Sequence, residues 1–477
     1  MLIRHSFIYI LARLLTGVFG MATTALLTRL LDPDRYGLYG LSLVVMSFGA
    51  TIGFDWLGLS FMRFYQSRKD DPLVISTILQ LFLGVVVVTA GLAALAGAAG
   101  VINGREAPMI CAGLLLMWSF SWFELAARFR VADFNPLRYF GMNLGRALFV
   151  LLGACVAAWM TSDPVWTAIG TAAGTAAGAT LGGFRGWRLG PRYLDRALAR
   201  AVLVFGLPLA ASNVMSALSD SGIRALVEAL DSAAALGLYT AAYLLVQNTL
   251  TVVASGVGSA GYALAVRAVE TGDAGAARLQ LLNNGTLLLA VMAPAALGMM
   301  LTADGIATTL VGHQYVAEVT RLTPWMAAGT FFGTIRGNFM DHAFQLGHKS
   351  HLQIWVTAAA AVWAVGLSVW LIPRQGPIGA AIAMTVAMAF SCVHAWFAGR
   401  RAYPLPFPGA AIAKVSLACA VMAALVLVVP GRGLFPFIAR VVVGGLSYGT
   451  VALATDLLDL RSTLLRKLAG PWQRGAS

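Results

Sequence analysis

Fourteen apolar segments, each roughly 20 residues long, alternate with short polar connections along the chain. A helix rises 1.5 Å per residue, so each segment can cross the hydrocarbon core of a bilayer. Such segments cross as helices because lipid offers no hydrogen-bond partner to an open backbone. We therefore predict an all-α membrane protein with about 14 transmembrane helices. The predicted spans are 6–31, 37–59, 73–97, 107–127, 140–160, 163–184, 201–223, 236–260, 281–301, 321–344, 351–372, 377–398, 409–429 and 434–455.

The composition agrees with this class. Apolar residues make up 59% of the 477 residues and charged residues 11%, against about 25% charged residues in soluble domains. The net charge of +13 is scattered beside the apolar runs, which argues against nucleic-acid binding, since that requires a basic face. The four cysteines lie inside apolar segments and predict neither a disulfide framework nor a zinc site. No nucleotide, dinucleotide or zinc-protease motif occurs, so we predict neither an enzyme nor a cofactor.

The distribution of basic residues predicts the orientation. If the N-terminus is cytoplasmic, 21 of the 33 Lys and Arg residues fall on the cytoplasmic side and five on the outer side. The remaining seven lie within spans. This excess follows the positive-inside rule. We therefore expect a multi-pass protein with both termini cytoplasmic.

A similar sequence occurs at two connections between predicted spans. "LLDPDRYGLYG" joins spans 1 and 2 at Leu30–Gly40, and "ALDSAAALGLYT" joins spans 7 and 8 at Ala229–Thr240. Six spans separate the copies, which predicts two parallel six-helix repeats with a substrate site at their interface. The alternative is chance recurrence of turn residues with an interfacial tyrosine. The predicted domains are an N-terminal lobe at 1–184, a cytoplasmic linker at 185–200, a C-terminal lobe at 201–400, and two extra helices with a tail at 401–477.

Four stretches carry a resemblance to a known family. They are "LARLLTGVFGMATTALLTRLLDPDRYGLYGLSL", "DWLGLSFMRFYQ", "LVGHQYVAEVTRLTPWMAAG" and "LIPRQGPIGAAIAMTV". They resemble the bacterial polysaccharide (O-antigen) flippases of the multidrug/oligosaccharidyl-lipid/polysaccharide exporter superfamily, over most of the chain. The resemblance implies two pseudo-symmetric six-helix lobes, two C-terminal helices, and movement of a polyprenyl-diphosphate-linked oligosaccharide from the inner to the outer leaflet. It supplies no catalytic motif.

The first helix of each predicted half carries a polar stripe. At about 100° per residue, Arg13 of span 1 shares a face with small and hydroxyl residues, and Asn213, Asp220 and Arg224 share a face of span 7. Such faces suit a wet cavity between lobes, which we favour for Asn213. The alternatives are close helix contacts, with Arg13 reaching the membrane surface, and an i,i+4 pair of Asp220 with Arg224 at the outer helix end, which we favour for that pair.

Ionisable residues also lie inside later spans. Arg336 lies near mid-depth in span 10, where a charge costs roughly 2.5–3.5 kcal/mol on insertion scales, so it is a functional candidate. On α-helix geometry, Asn338 and Asp341 point away from Arg336.

Two acidic residues lie near the predicted inner interface. In span 4, Glu124 precedes Arg128 by four residues, which predicts an i,i+4 pair. In span 2, Asp55 has no such neighbour, so it is a candidate for pairing with a cation or a coupling ion.

These residues lead to one main hypothesis. The predicted substrate-binding residues are Arg13, Asn213, Arg336, Asp55, Asp220, Arg224 and Asn338. Cationic side chains would hold the diphosphate of a lipid-linked oligosaccharide, and rocking of the lobes would expose the site to each side in turn. Membrane lipids, H+ or Na+ as coupling ion, and a polymerase of the same pathway are the expected partners. The alternatives are a multidrug or other cation-coupled exporter, and a membrane enzyme such as a polysaccharide polymerase.

Topology provides a direct test. Cysteine labelling or reporter fusions should place residues 185–200 and the C-terminus inside, because these segments are basic. The same experiment should place the connections near Arg105 and His313 outside. Labelling of 185–200 from outside would contradict the fourteen-span arrangement.

Overall fold

The computed structural model describes residues 2–68, 71–102, 104–182, 195–270, 273–459 and 461. Within these ranges the regular structure is helical and no strand is present. The helices are α1 (Leu2–Leu30), α2 (Pro33–Gly53), α3 (Asp55–Ser67), α4 (Pro72–Ala98), α5 (Ala107–Ala132), α6 (Pro136–Thr161), α7 (Pro164–Leu181), α8 (Arg196–Ala217), α9 (Ile223–Leu230), α10 (Ala233–Glu270), α11 (Ala274–Leu301), α12 (Ala303–Leu310), α13 (Val316–Ile335), α14 (His342–Leu346), α15 (Ser350–Gln375), α16 (Pro377–Gly399), α17 (Gly409–Val428) and α18 (Leu434–Ala454). The all-α membrane fold predicted from the sequence is confirmed.

Four helices begin at an Asp-Pro or Asn-Pro pair. The acidic or amide side chain accepts a hydrogen bond from a backbone N–H of the first turn, and proline occupies the first helical position. Both features favour helix initiation, because they satisfy or remove N–H groups that have no partner within the helix. The capping residues are Asp32, Asp71, Asn135 and Asp163.

Eleven helices of the described chain are long and apolar enough to cross a membrane. The other three predicted spans, 163–184, 201–223 and 321–344, coincide with helical segments that fall outside this set. The first of these, α7, is rich in glycine, alanine and threonine. The other two are each interrupted by a π-helical turn. The count of fourteen spans therefore stays a prediction.

Some element boundaries differ from those predicted. Span 2 was predicted as continuous over 37–59, but the helix breaks at Phe54, which separates α2 from α3. Span 8 extends further than 236–260, because α10 runs for 38 residues. The short helix α12 between α11 and α13 was not predicted.

The contacts divide the chain into two compact units. The first unit comprises residues 1–245 and 361–383, and the second comprises 246–360 and 384–477. These units group helices by contact, whereas the predicted lobes follow from the internal repeat. The lobe boundaries therefore stay a prediction. Most of the predicted linker, residues 185–194, lies outside the described residues.

The two copies of the repeated junction touch each other inside the first unit. A Cβ atom built on Gly37 would lie 1.6 Å from the carbonyl oxygen of Ala233, and one built on Gly237 would lie 2.1 Å from that of Pro33. The N-terminal turns of α2 and α10 therefore meet backbone to backbone, each copy with its glycine against the other. This reciprocal contact fits the predicted repeat. The equivalence of Arg63 with Arg267 stays a prediction, because the Arg267 side chain lies outside the described residues.

Helices α6 and α7 also approach closely at a pair of glycines. A Cβ atom on Gly153 would lie 2.5 Å from the carbonyl oxygen of Gly170, and one on Gly170 would lie 2.3 Å from that of Gly153. Small residues allow helices in lipid to approach until their backbones pack. This packing explains why α7 is rich in glycine and alanine. These small residues also make α7 less hydropathic than the eleven helices counted above.

Gly37→Ala should destabilise the protein, because the new methyl group would overlap Ala233. Overpacking of this kind costs about 1–3 kcal/mol, so the melting temperature in detergent should fall. Gly91→Ala is the matched control, since Gly91 is a glycine of α4 with no atom near its Cβ position. The control should be neutral or slightly stabilising. Equal melting temperatures for the two variants would contradict the packing argument.

Candidate functional site

Two π-helical turns interrupt the described helices. Each contains one residue of a charged pair, and the other residue follows shortly after the turn. Leu218–Gly222 joins α8 to α9, and Arg336–Met340 joins α13 to α14. A π-turn adds a residue to one helical turn and is common at functional sites. The two turns lie in different units, so each is described separately.

At the first π-turn, Arg224 is almost fully buried, with 3% of its surface exposed. Its Nη2 lies 3.6 Å from a carboxylate oxygen of Asp220 and donates to the hydroxyls of Ser47 and Ser221, at 2.9 and 3.0 Å. The guanidinium carbon stands 4.7 Å from the centre of the Tyr243 ring. The predicted Asp220–Arg224 pair is confirmed, but the arginine is buried between α2 and α10 rather than exposed at a helix end.

The Asp220 side chain differs from that of its partner, because 42% of its surface is exposed. The Tyr243 hydroxyl donates a 2.6 Å hydrogen bond to the carboxylate. Arg224 and Tyr243 therefore orient Asp220 from the protein side and leave its other side accessible. An accessible carboxylate with fixed donors can bind a cation or a hydroxyl-rich ligand.

The remaining polar face of span 7 packs against α2 and α3. Asn213 donates from Nδ2 to the carbonyl oxygen of Thr51 at 3.4 Å. A Cβ atom on Gly206 would lie 2.2 Å from the Trp56 ring. The sequence predicted a wet cavity at Asn213, whereas the structure places this face in a helix contact with α2 and α3.

Arg13 lies on α1 and is exposed. Within the described part of the chain it has no hydrogen bond or ion pair, so its guanidinium is available to a ligand or a lipid head group. Threonine hydroxyls on the same helix donate to backbone carbonyl oxygens one turn earlier, Thr16 to Ala12 and Thr24 to Gly20.

At the second π-turn, Arg336 and Asp341 form an ion pair with a nitrogen–oxygen distance of 4.0 Å. The sequence predicted that they point to opposite faces, which is wrong for Asp341. The prediction assumed 100° per residue, but the wider turn rotates the following residues backwards. The N–H of Asp341 accordingly donates to the carbonyl of Arg336, five residues earlier, at 2.9 Å.

The Arg336–Asp341 pair is only partly satisfied by the described residues. Arg336 reaches the Thr357 hydroxyl at 3.5 Å, and Gln353 donates to Asp341 at 3.2 Å. However, Nε of Arg336 and Oδ1 of Asp341 are buried and have no hydrogen-bond partner in the described part of the chain. Buried charged atoms in this condition favour binding of a further polar group. Asn338, the remaining predicted residue here, donates to Thr334 within its own helix at 3.2 Å.

Asp55 has a direct cationic partner from another helix. Nη2 of Arg128 lies 2.7 Å from its carboxylate, and Nη1 donates to its backbone carbonyl at 2.9 Å. The cation-pairing interpretation of Asp55 is confirmed, and the predicted pairing of Glu124 with Arg128 is wrong. Arg128 can cross to α3 because Gly58 leaves space for its guanidinium.

Several partners were missed in the sequence. They share one feature, a polar side chain inside an apolar helix, and that feature could have singled them out. They are Ser47, Ser221, Tyr243, Gln353 and Thr357. No group of three or more His, Cys, Asp or Glu side chains suited to a metal ion occurs in the described residues.

A family model described as "Polysaccharide biosynthesis protein" matches residues 26–320, more than half of the chain. This chain belongs to that family. No curated protein matches it by sequence.

Solved structures of similar fold cover 81–95% of this chain. "Lipid II flippase MurJ, inward closed conformation" has a TM-score of 0.79 at 12% identity, covering 95% of this chain and 99% of that one. An inward-facing multidrug resistance MATE family transporter of the MOP superfamily has a TM-score of 0.63 at 13% identity, covering 81% and 94%. A MOP superfamily transporter from Pyrococcus furiosus has a TM-score of 0.57 at 13% identity, covering 84% and 94%. The TM-scores establish a shared fold, and the proteins named are a flippase and transporters.

Arg224→Ala should destabilise the protein strongly. It removes a buried side chain together with the hydrogen bonds that the guanidinium donates to Ser47 and Ser221, at a cost of about 2–5 kcal/mol. Arg321→Ala is the matched control, because Arg321 forms an exposed 2.7 Å pair with Glu318. Exposed pairs contribute about 0–1 kcal/mol. Thermal unfolding in detergent should separate the variants, and similar losses would contradict the buried network.

Proposed function

We propose that this protein moves a polyprenyl-diphosphate-linked oligosaccharide from the inner to the outer leaflet of the bacterial inner membrane for polysaccharide export. Its family and its fold support the proposal. The membership concerns polysaccharide biosynthesis, and one protein of the same fold is named as a lipid II flippase. The protein is a multi-pass membrane protein, and a lipid-borne substrate is available to such a chain from within the bilayer.

Arg336 is the observation that carries this proposal. A buried guanidinium in a membrane helix needs a counter-charge, and Asp341 supplies it only at 4.0 Å. A diphosphate could complete the hydrogen bonding of Nε, because the planar guanidinium binds phosphate oxygens two at a time. We assign Arg336 to the substrate head group, and Arg13 stays a second predicted contact of that group. Asp341 then acts as the counter-ion that holds Arg336 until the substrate arrives.

An apolar groove in the second unit suits the hydrocarbon part of such a substrate. It has a cavity volume of about 360 Å³ and lies among α11, α13, α16 and α17. Aromatic side chains dominate its wall, including Phe331, Phe332, Phe339, Trp396 and Phe407. We propose that the polyprenyl chain rests here during transport.

The transport cycle in this proposal is alternating access. The two predicted halves rock about a fixed site, which opens first to the cytoplasm and then outward. A coupling ion, H+ or Na+, drives the cycle, and a polymerase of the same pathway receives the product. Both termini face the cytoplasm in this arrangement.

A second candidate is a multidrug or other cation-coupled exporter. The similar fold of a MATE family transporter supports it, as does the exposed carboxylate of Asp220, which could accept a cationic ligand. The buried arginines favour an anionic substrate, so the lipid-linked oligosaccharide ranks first.

Arg336→Ala should reduce glycan export about tenfold or more, because a hydrogen bond to a charged group contributes about 1.5–3 kcal/mol. Arg13→Ala should act in the same direction. Lysine at either position should restore export only in part, since it supplies charge without the planar fork. The measurement is exported polysaccharide per amount of protein in the membrane, with Arg321→Ala as control.

The competing interpretation of Arg13 gives a different result. An arginine that only reaches the membrane surface should tolerate lysine and glutamine with little loss of export. If both alanine variants export at the parental rate, the cationic-site model is wrong. The cation-coupled exporter would then be favoured, and its acidic residues Asp220 and Asp341 would be the next to test.

A further inference from the structure

A small cavity with four polar residues among its lining lies inside the first unit, apart from the two π-turns. Its walls come from α2, α3, α4 and α5, and its polar lining consists of Asp55, Ser121, Glu124 and Arg128. The volume is about 10 Å³, which is close to the space that one water molecule needs. The hydroxyl of Ser121 is buried and has no hydrogen-bond partner in the described residues. A buried hydroxyl beside two carboxyl groups indicates a site built for a small polar species.

Arg128 is bonded to one carboxylate, and a second carboxylate lies on its own helix. It holds Asp55 at 2.7 Å across the helix contact. Glu124 lies one turn earlier on the same helix, at the i,i+4 spacing that allows a pair. Among the described residues Glu124 has no hydrogen bond or ion pair. The cluster therefore has two alternative positions for one guanidinium.

The remaining charges around the cluster are few. Arg146 of α6 interacts electrostatically with Glu124, and its guanidinium carbon is 4.7 Å from the centre of the Phe123 ring. Tyr139 of α6 interacts with Arg146 in turn. Helices α4 and α7 contain no titratable residue, and those of α2 lie in its first two turns. With both carboxyl groups ionised, two negative and two positive charges balance.

We propose that Asp55 is a proton-binding site and that its proton moves Arg128 from Asp55 to Glu124. The proton comes from water at the predicted inner interface, where Asp55 lies with 37% of its side chain not covered by the protein. Protonation removes the negative charge that holds the guanidinium, which stays charged and turns to Glu124, the other carboxyl group beside it. The coupling of this proton to transport rests on the proposed function, whereas the switch itself does not.

The switch is placed where it can move a helix. Asp55 is the first residue of α3, directly after the break at Phe54, and Arg128 also holds its backbone carbonyl. Release of Arg128 therefore frees the start of α3 from α5. The far end of α3 packs on α8, with the Arg63 guanidinium carbon 4.2 Å from the centre of the Phe205 ring. A proton on Asp55 would thus alter the contact between the first predicted half and the first helix of the second.

The test is a distance measurement between α3 and α5 as a function of pH. Spin labels are attached at Leu59→Cys and Leu115→Cys, two exposed positions on these helices, after replacement of the four native cysteines. The full-length protein is studied in vesicles of phosphatidylethanolamine and phosphatidylglycerol. Between pH 8 and pH 5 we expect two populations whose ratio changes about tenfold, as for a two-state element biased by one proton.

Two isosteric variants should each show only one of the two distance distributions, at every pH. Asp55→Asn mimics the protonated side chain, so it should show the acid distribution at every pH. Glu124→Gln removes the second position of Arg128, so it should keep the alkaline distribution at every pH. Glu318→Gln is the matched control, because it removes one carboxylate of an exposed Glu–Arg pair on α13. The control should follow the parent protein.

A merely structural ion pair gives a different pattern. In that case Asp55→Asn would shift the distribution without pH dependence in the parent, and Glu124→Gln would behave as the parent. Either result overturns the switch. Glycan export by the same variants is a separate readout. Locked distributions with parental export would support the switch and contradict its coupling to transport.

Discussion

A charge inside a bilayer has to find its counter-charge within the protein, and the buried helices of this chain are arranged around that requirement. Three ion pairs connect elements of the fold, either directly or through the other contacts of their members. Arg128 ties α5 to the start of α3. Arg224 ties the first π-turn to α2 and α10. Arg336 and Asp341, through Gln353 and Thr357, tie the second π-turn to α15.

The backbone departs from the regular α-helix where these pairs form. The second π-turn brings Asp341 onto the face of Arg336, the first lies beside the Asp220–Arg224 pair, and the break at Phe54 presents Asp55 to Arg128. Elsewhere the helices are regular and approach closely through glycine, as at Gly37 and Gly237. Irregular backbone therefore coincides with charge, and regular backbone with small side chains. This division places the capacity for change at the charged sites and keeps the packed seams rigid.

The sequence was sufficient for the helical class, for most helix positions, and for the contact of local residues such as Asp220 with Arg224. These follow from hydropathy and from spacing within one helix. The sequence did not predict the contact between Arg336 and Asp341, because no local pattern of residues indicates a π-turn. It also misassigned Arg128, because an i,i+4 carboxylate and a carboxylate on another helix have comparable attraction. Only packing, here the space over Gly58, decides between them.

Each π-turn also has a consequence for how this chain is compared with others. The turn holds one residue more than an α-helical turn would, so every side chain after it is rotated by about 100° relative to an uninterrupted helix. A relative without the turn at Arg336 therefore needs a one-residue gap there. Without that gap, an alignment would pair Asp341 and all residues up to Leu346 with positions that face a different direction. A missing or conserved acidic residue at this point is meaningful only after the gap has been placed.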